Sequence, residues 1–470
     1  MNSSSAKLHQ SSASNCTDPR LPTVDQLRDT NIAVWGVGHE GSAILRFLRR
    51  HLPDQNLVLI DDKPFSSEHQ QIIDYLGNIA YLHAQSLTAD ALSTFDWIIR
   101  SPGVCIYRDE LAQAKNNGVH ITTASNLWYA TEPAGTIIAI TGSKGKSTTT
   151  TLLGHLLKSL GKRVEIGGNI GTPLLDLTNR EQPPDYWVIE LSSYQISDLG
   201  WRPDVALLTC LHPGHLKWHG LVDHYYDDKL KLFDDEEKTT AVINQSDQEV
   251  NRRLSERANK RIYNVGIGLI AKADGIYRAG KKLIDAKQIS LRGEHNYQNV
   301  CGALTTIETL GINIESVIPA LKTFEGLPHR LEQIAFIDGV TYINDSIAVI
   351  PEATLMAVKS FSDQPVILLI GGQNNHQDWS AFANQLSKRP PKTVITMHES
   401  GSAIASALKD RGNFNVIETK DLREATQRAK EIATSESVIL MSPAAPSFDA
   451  YDNFEHRAAE FRRHISATKI

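Results

Sequence analysis

The sequence predicts an α/β protein of three domains: an N-terminal Rossmann-like domain, a central parallel sheet of the P-loop ATPase type, and a C-terminal Rossmann-like domain. Three observations carry that prediction. Short apolar runs alternate with helical segments along most of the chain, the pattern of a parallel sheet with crossover helices. Two glycine-rich loops, Gly36–Gly41 and Gly142–Ser147, each stand between a strand-like run and a helix-like run. A length of 470 residues suits roughly three separate cores.

The elements follow in order. The first 18 residues (MNSSSAKLHQSSASNCTD) are rich in Ser, Ala and Asn and lack an apolar h-region, so a disordered tail over 1–20 is expected and a secretory signal is not. The N-terminal domain is placed at 21–125. Ile32-Ala33-Val34-Trp35 reads as a strand, Gly36-Val37-Gly38-His39-Glu40-Gly41 as a turn, and the segment from Ser42 as a helix. A second strand, Asn56 to Ile60, ends at Asp61-Asp62, and a third, Phe95 to Arg100, empties into Ser101-Pro102-Gly103. Gly-x-Gly-x-x-Gly with an acidic residue about 20 positions on is the dinucleotide fingerprint. Taken alone it suggests NAD and a dehydrogenase, but the same physics serves any nucleotide diphosphate on a helix N-terminus.

The central domain is placed at 126–326. A buried strand, Thr136 to Ile140, leads into Thr141-Gly142-Ser143-Lys144-Gly145-Lys146-Ser147-Thr148 and a helix. Backbone N–H groups and the helix N-terminus face an anion there, Lys146 adds a point charge, and the Ser147 hydroxyl can hold Mg²⁺. The spacing Gly-x-x-Gly-Lys-Ser is two residues shorter than the usual phosphate loop. The bland alternative is a glycine-rich turn, but strand, loop, Lys-Ser and helix all agree on a nucleoside triphosphate site. A second nucleotide loop also implies that one site takes ATP and the other a nucleotide-linked substrate.

Tyr186 to Leu191, Val205 to Cys210 and Thr240 to Asn244 read as further strands of a parallel sheet. Glu190 stands at a strand's C-terminal end, where ligands of open α/β sheets gather; it is a Mg²⁺ ligand or a partnered structural acid. His212, His215 and His219 look like a zinc site, yet no cysteine or His-Glu-x-x-His spacing supports zinc. A mixed nitrogen/oxygen Mg²⁺ site with one histidine ligand is favoured. Tyr225 to Phe233 reads as an amphipathic helix, on which spacing alone makes Lys229 a solvated lysine. The C-terminal domain is placed at 327–470, after a Gly326-Leu327-Pro328 linker, with strands at Thr341–Asn344, Val366–Gly371, Thr393–Met397 and Val438–Met441.

Bulk properties exclude several classes. A net charge of −6 gives no electrostatic reason to expect nucleic acid. No apolar run approaches the roughly 18 residues that span a membrane. Four cysteines, Cys16, Cys105, Cys210 and Cys301, lie too far apart for a paired zinc or disulfide framework, so reduced thiols in a cytoplasmic protein are expected.

Together these residues resemble the Mur ligase family, ATP-dependent enzymes that build the peptidoglycan stem peptide. The resemblance covers about residues 30 to 465 and its motifs appear in order. They are the phosphate loop, Gly168-Asn169-Ile170-Gly171, Glu190-Leu191-Ser192-Ser193-Tyr194-Gln195, His215, Lys229, His295-Asn296-Tyr297-Gln298-Asn299, Gly326-Leu327-Pro328-His329-Arg330, Asn344-Asp345-Ser346, Ser442-Pro443-Ala444-Ala445, Ser447-Phe448-Asp449 and Asn453-Phe454-Glu455-His456-Arg457. It implies the branch that joins glutamate to UDP-N-acetylmuramoyl-L-alanine, with ATP and two Mg²⁺ ions, no nucleic acid, no membrane insertion, and a monomer.

The same resemblance implies roles. Lys146, Glu190, His215, Lys229 and Arg330 are the expected catalytic residues, with Ser147, Glu190, His215 and a carbamylated Lys229 as metal ligands. Gly142, Ser143, Lys144, Gly145, Lys146, Ser147, Thr148, Asn296, Asn299, Arg330 and Asp345 are expected around ATP. Gly36, Gly38, Gly41, Asp61, Ser101 and Asn169 are expected around the UDP-linked substrate, and Ser447, Phe448 and Phe454 around the amino acid. The reaction implied passes through an acyl phosphate.

The pattern breaks at the amino acid. Where glutamate ligases usually read Asn-Asp-Ser-Lys-Ala-Thr-Asn, this chain has Asn344-Asp345-Ser346-Ile347-Ala348-Val349-Ile350, and the usual Gly-Gly-Asp-Gly-Lys is Gly371-Gly372-Gln373-Asn374-Asn375. Two lysines and a threonine have become Ile347, Asn375 and Val349, and Gly214 replaces an Asp beside His215. These changes, with Pro351 and Asp378-Trp379, resemble a variant branch that adds L-glutamate; D-glutamate is the family default. Folylpolyglutamate synthase is disfavoured by the Gly36–Gly41 domain. A catalytically retired Mur-like protein is disfavoured by retention of Lys146, Glu190, His215, Lys229, Arg330 and Asp345.

Overall fold

The structure, a computed structural model, describes residues 18–178, 182–361, 363–374 and 377–466. The tail up to residue 17 and Asn375 lie outside the described residues.

Strands β1 (Ile32–Trp35), β2 (Leu57–Asp61), β3 (Ile79–His83), β4 (Trp97–Arg100) and β5 (His120–Thr123) form a parallel sheet ordered β3-β2-β1-β4-β5. β1 is buried along its whole length because helices cover both faces, which is why it reads as a continuous apolar run. β3 and β5 were not evident in the sequence: both are partly exposed and carry polar residues.

The central sheet comprises β6 (Thr136–Thr141), β7 (Val164–Gly168), β8 (Tyr186–Glu190), β9 (Val205–Leu208), β10 (Thr240–Asn244) and β11 (Lys260–Tyr263) in the order β11-β10-β9-β6-β8-β7. All its pairings are parallel. After β6 the chain builds β7 and β8 on one side of it and then β9, β10 and β11 on the other, so the loop after β6 opens at a topological switch point. A third sheet, β12 (Leu269–Lys272), β13 (Gly275–Arg278) and β14 (Lys281–Asp285), corrects the expectation of a purely parallel middle third. Its β13–β14 pairing is antiparallel, joined by a tight turn at Ala279-Gly280, and its lysine-rich strands carry little apolar signal.

β15 (Glu332–Ile337), β16 (Val340–Asn344), β17 (Val366–Ile370), β18 (Thr393–Thr396), β19 (Val416–Glu418) and β20 (Val438–Met441) form the last sheet, ordered β15-β16-β20-β17-β18-β19. Its edge strand β15 runs antiparallel to β16 and the other pairings are parallel.

Two compact units result. One runs to Ile270 and includes Asn299–Val317; the other comprises Ala271–Gln298 and the chain from Ile318. The first unit holds both the N-terminal and the central sheet. One apolar core passes between those sheets through Leu45, Trp128, Leu174, Trp187 and Trp201. Buried polar contacts register the two sheets against each other. Arg100, at the end of β4, is fully buried; its Nε donates to Asp198 Oδ2 (2.8 Å) and its Nη2 to Asp198 Oδ1 (2.7 Å). The same guanidinium donates to the carbonyls of Val104 (2.8 Å) and Tyr194 (2.9 Å) and to Ser197 Oγ (3.1 Å). Arg46 pairs with Asp176 at 2.5 Å nearer the surface.

Among the described residues no helix is long and apolar enough to cross a membrane. Removing one partner of a buried ion pair strands the other charge in a dry site, at a cost of about 3–5 kcal/mol. Asp198→Ala should therefore lower the unfolding free energy by about 3 kcal/mol, read as a shift in the denaturant midpoint.

Candidate active site

The loop after β6 is shaped by lack of space. Gly142 has φ +148°, and a Cβ there would lie 1.9 Å from Thr209 Oγ1. Gly145 has φ +80° and caps the helix Lys146–Ser159; a Cβ there would lie 2.5 Å from Asn299 Oδ1. The Thr209 hydroxyl donates to the Lys144 carbonyl (2.6 Å), and the Ser143 N–H donates to the Cys210 carbonyl (2.9 Å), so the loop is pinned from both sides. Ser143 is built into the loop wall: its hydroxyl donates to the His212 carbonyl (2.8 Å), accepts from the His212 N–H (2.8 Å) and lies 2.9 Å from Tyr225 Oη. Lys146 stands at the first helical position with Nζ 3.2 Å from the Gly142 carbonyl. Ser147 is half-buried and Thr148 buried in the same turn.

Three further chains of contact converge on this loop. Glu190, at the end of β8, is buried; its Oε1 accepts from Asn169 Nδ2 (2.7 Å) and its Oε2 is sealed from solvent without a hydrogen-bond partner. Asn169, expected as a substrate contact, thus orients this carboxylate. His215 has φ +56°, and its Nδ1 lies 2.7 Å from Tyr194 Oη. Burial, then the charges of Lys229 and Lys146, lowers the pKa of its imidazole.

Lys229 corrects the reading from spacing. It lies on the helix Val222–Leu230, is 2% exposed, and places Nζ 4.9 Å from the centroid of the Tyr225 ring. Burial, reinforced by the nearby Lys146 charge, holds its amine well below the usual lysine range. The helix can bury this polar face because Asp228, equally buried, receives the Tyr107 hydroxyl (2.7 Å), His219 Nδ1 (2.8 Å) and Lys231 Nζ (2.8 Å). These donors hold the Asp228 carboxyl below its usual range against the opposing effect of burial. His215 faces Tyr194, whereas His219 is engaged at both ring nitrogens, by Asp228 and by Ser193 Oγ (2.9 Å), which separates these two as ligands of one ion. Among the described residues no group of three His, Cys, Asp or Glu side chains is spaced to hold a metal alone.

The N-terminal loop is equally constrained. Gly36 has φ +94°, and a Cβ on Gly41 would fall 1.8 Å from the Gly36 carbonyl oxygen. That oxygen accepts from Ser101 Oγ (2.8 Å). Asp61 takes the N–H of Val37 on Oδ2 (3.1 Å) and that of Lys63 on Oδ1 (2.8 Å), while Gly38 caps the helix His39–His51. Ser101 and Asp61 thereby hold the loop's shape. Next to Gly41, Glu40 receives the Gln195 side-chain amide on Oε1, and its Oε2 is buried without a partner. Burial pushes the Glu40 carboxyl up to about 7.

The remaining expected residues belong to the second unit, apart from Asn299. Asn296 is buried and donates to the Arg292 carbonyl (2.8 Å); Arg330 is exposed. Asp345 is buried at the end of β16, accepting from Ser442 Oγ (2.7 Å) and the Leu331 N–H (3.1 Å), and burial raises its pKa to about 6. Ser447 is buried, Phe448 exposed, and Phe454 meets the His329 ring edge-on at 5.7 Å. Ile347 is half-buried, with its N–H on the His329 carbonyl (3.2 Å). The cation that closes the Asn453–Arg457 motif, to which the sequence assigned no role, binds the backbone of these segments. Arg457, fully buried, donates to the carbonyls of Ser346 (2.9 Å) and Ala445 (3.1 Å), and burial lowers its pKa to about 10.

Comparison with known proteins places this geometry. Residues 30–123 match the Mur ligase MurD-like N-terminal domain, 140–307 the Mur ligase middle domain, and 329–445 the Mur ligase glutamate ligase domain. The UDP-N-acetylmuramoyl-L-alanine--L-glutamate ligase of Xanthomonas euvesicatoria pv. vesicatoria (strain 85-10) is 36% identical over 450 residues, 93% of this chain and 95% of that protein. The chain belongs to the Mur ligase family. The ligase of the same name from Micromonospora sp. (strain ATCC 39149 / NRRL 15099 / SCC 1413) is 34% identical over 95% of this chain and 98% of that protein. Among solved structures, MurF ligase from Thermotoga maritima in complex with ADP covers 96% of this chain at 16% identity, with a TM-score of 0.57 and 99% of that chain aligned. The UDP-N-acetylmuramate-alanine ligase MurC of the same organism covers 94% of this chain at 19% identity, with a TM-score of 0.56 and all of that chain aligned. Both share the three-domain fold. As a Mur ligase the chain is an ATP-dependent, ADP-forming amide ligase of peptidoglycan synthesis.

Glu40 yields a pH prediction. Its folded pKa lies above the unfolded value, so ionisation opposes folding: the penalty is absent below about pH 4.5, grows to about pH 7 and is constant above. Glu40→Gln should therefore stabilise the protein by roughly 2–3 kcal/mol at pH 8 and by almost nothing at pH 4, measured by denaturant unfolding at both.

Proposed function

We propose that this Mur ligase adds L-glutamate to UDP-N-acetylmuramoyl-L-alanine through an acyl phosphate. The observation that carries the reading is the grouping of Lys146, an unpartnered Glu190 carboxylate oxygen and a buried Lys229 amine around one phosphate loop. The identity of the amino acid rests on the replacement of two lysines and a threonine by Ile347, Asn375 and Val349 and on the names of the similar ligases.

In the first step the L-alanyl carboxylate oxygen attacks the γ-phosphorus of ATP, the bond to the β-phosphate oxygen breaks, and ADP leaves. In the second, the glutamate amine attacks the acyl carbon, phosphate departs, and the amine loses a proton as the amide forms. Lys146 supplies charge to the transferring group and the loop N–H groups hold it in line. The orphaned Glu190 Oε2 suits a divalent cation, since a carboxylate oxygen sealed without a donor is costly otherwise. Ser147, Glu190, His215 and a carbamylated Lys229 would hold two Mg²⁺ ions, which when bound neutralise phosphate charge. A lysine whose charge is suppressed is a free amine, the form that adds CO₂; the carbamate is an anionic oxygen ligand where an ammonium would repel a cation. In the first unit, the Gly36–Gly41 loop and Ser101 are assigned to the UDP end. In the second, Asn296, Arg330 and Asp345 are assigned to ATP, and Ser447, Phe448 and Phe454 to glutamate.

Loss of a lysine without replacement removes a strong donor to a carboxylate. An amino acid of the other hand, with its amine still on the acyl phosphate, places its side-chain carboxylate elsewhere and does not need that lysine. ADP release with UDP-N-acetylmuramoyl-L-alanine and a panel of D- and L-amino acids tests this. Turnover with L-glutamate should exceed that with D-glutamate at least about tenfold, a difference of about 1.4 kcal/mol; the reverse order would assign the chain to the D-glutamate branch. Lys146→Ala should lower kcat by about 100-fold or more in the same assay. Lys229→Ala should be nearly inactive and partly restored by acetate.

A further inference from the structure

A set of buried groups beside Lys229 has no part in the chemistry above. Ser193 Oγ lies 2.9 Å from His219 Nε2, and His219 Nδ1 lies 2.8 Å from Asp228 Oδ2. The connectivity is that of a hydrolytic triad, but Ser193, His219 and Asp228 are each no more than 2% exposed, so no substrate reaches the serine. The arrangement can transmit position and cannot deliver a nucleophile.

What it joins is informative. Ser193 is three residues beyond Glu190 and adjacent to Tyr194, whose hydroxyl meets His215. Asp228 is the immediate neighbour of Lys229 on the same helix. The relay thus ties the strand end bearing Glu190 and the loop bearing His215 to the helix bearing the buried amine. Asp228 has a further donor from outside the central sheet: the Tyr107 hydroxyl lies 2.7 Å from Oδ1 and 2.8 Å from Oδ2. Tyr107 lies six residues past Ser101, which clamps the Gly36 carbonyl, and seven past Arg100. Between them, Cys105 Sγ contacts the Trp218 carbonyl (3.1 Å), and the Tyr107 ring meets the Trp218 and His224 rings. A single stretch from Arg100 to Tyr107 therefore runs from the N-terminal loop to the Lys229 helix.

We propose that Asp228, His219 and Ser193 are a buried positioning relay that presents the Lys229 amine, and that the Tyr107 hydroxyl keys this relay to the N-terminal domain. The inference deepens the reading of Lys229 as a carbamate and rests on it for one readout only. Asp228 fixes the helix through one carboxylate held by His219 Nδ1, by Lys231 Nζ from the end of its own helix and by the Tyr107 hydroxyl from outside the central sheet, so removing the Tyr107 donor loosens the amine from a distance. Supporting shells of this kind are typically worth 10–100-fold in the function they hold.

The test uses the full chain and the variants Tyr107→Phe and Asp228→Asn. Two quantities are read: turnover against bicarbonate concentration, and the rate at which cyanate carbamoylates Lys229, followed by peptide mass. Cyanate adds to a neutral amine whether or not CO₂ is used in catalysis. In both variants kcat should fall about tenfold, half-maximal activity should need several-fold more bicarbonate, and the cyanate rate should change at least threefold, while KM for the UDP-linked substrate stays within twofold. Unchanged cyanate rate and kcat in both variants would overturn the relay, as would a loss confined to the melting temperature. Should Asp228→Asn fail to fold, Tyr107→Phe, which removes one oxygen from an exposed side chain, decides alone. If wild-type turnover ignores bicarbonate but the variants still alter cyanate rate and kcat, the carbamate reading falls and the relay stands.

Discussion

The Arg100 guanidinium is the contact on which the first unit depends. It is fully buried at the end of β4, next to the serine that shapes the Gly36–Gly41 loop. Its donors reach Asp198, Ser197 and the Tyr194 carbonyl, all on the segment that follows Glu190. A planar fork with five N–H groups can hold several acceptors in fixed directions, which a lysine cannot. The Gly36–Gly41 and Gly142–Ser147 loops are consequently set against each other by a rigid polar clamp inside a continuous apolar core.

Around that clamp the site works by leaving selected groups incomplete. The loop after β6 ties the Lys144 carbonyl to Thr209 and the Ser143 N–H to Cys210. Burial, then the Lys146 charge, pushes the Lys229 amine toward neutrality, and burial, then the Lys229 and Lys146 charges, does the same to the His215 imidazole. The one carboxylate at the centre, Glu190, has an oxygen oriented by Asn169 and another with no donor at all. Such a set disfavours its own charges at rest.

The second unit uses the same economy of partners. Asp345 and Arg457 are both buried, one held toward its neutral form and the other spending its donors on the backbone that carries Ile347 and Ser447. Arg457 fixes the backbone of these segments at Ser346, Ala445 and Pro446.

Much of this was legible in the sequence. The glycines at 36, 41, 142 and 145 are demanded by positive φ or by backbone atoms a Cβ would strike, so their pattern alone located both loops. Strands buried on both faces, such as β1, β6 and β20, showed as apolar runs, and the order of elements gave the parallel sheets. The edges were not legible: β3, β5, β7 and the β12–β14 sheet bury too little surface to enforce an apolar pattern. Nor was the state of Lys229. Helical spacing makes it a solvated lysine; only the approach of Tyr107, His219 and Lys231 to Asp228 allows that polar face to be buried. Lys231 is a helical neighbour of Asp228, but Tyr107 lies 121 positions away and His219 precedes the helix, and no helical spacing encodes their meeting with it. The sequence by itself determined where the two glycine loops turn, because that depends on backbone conformation written residue by residue. The tertiary structure decided which side chains there are neutral, oriented or unpartnered, because those properties depend on burial and on neighbours from elsewhere in the chain.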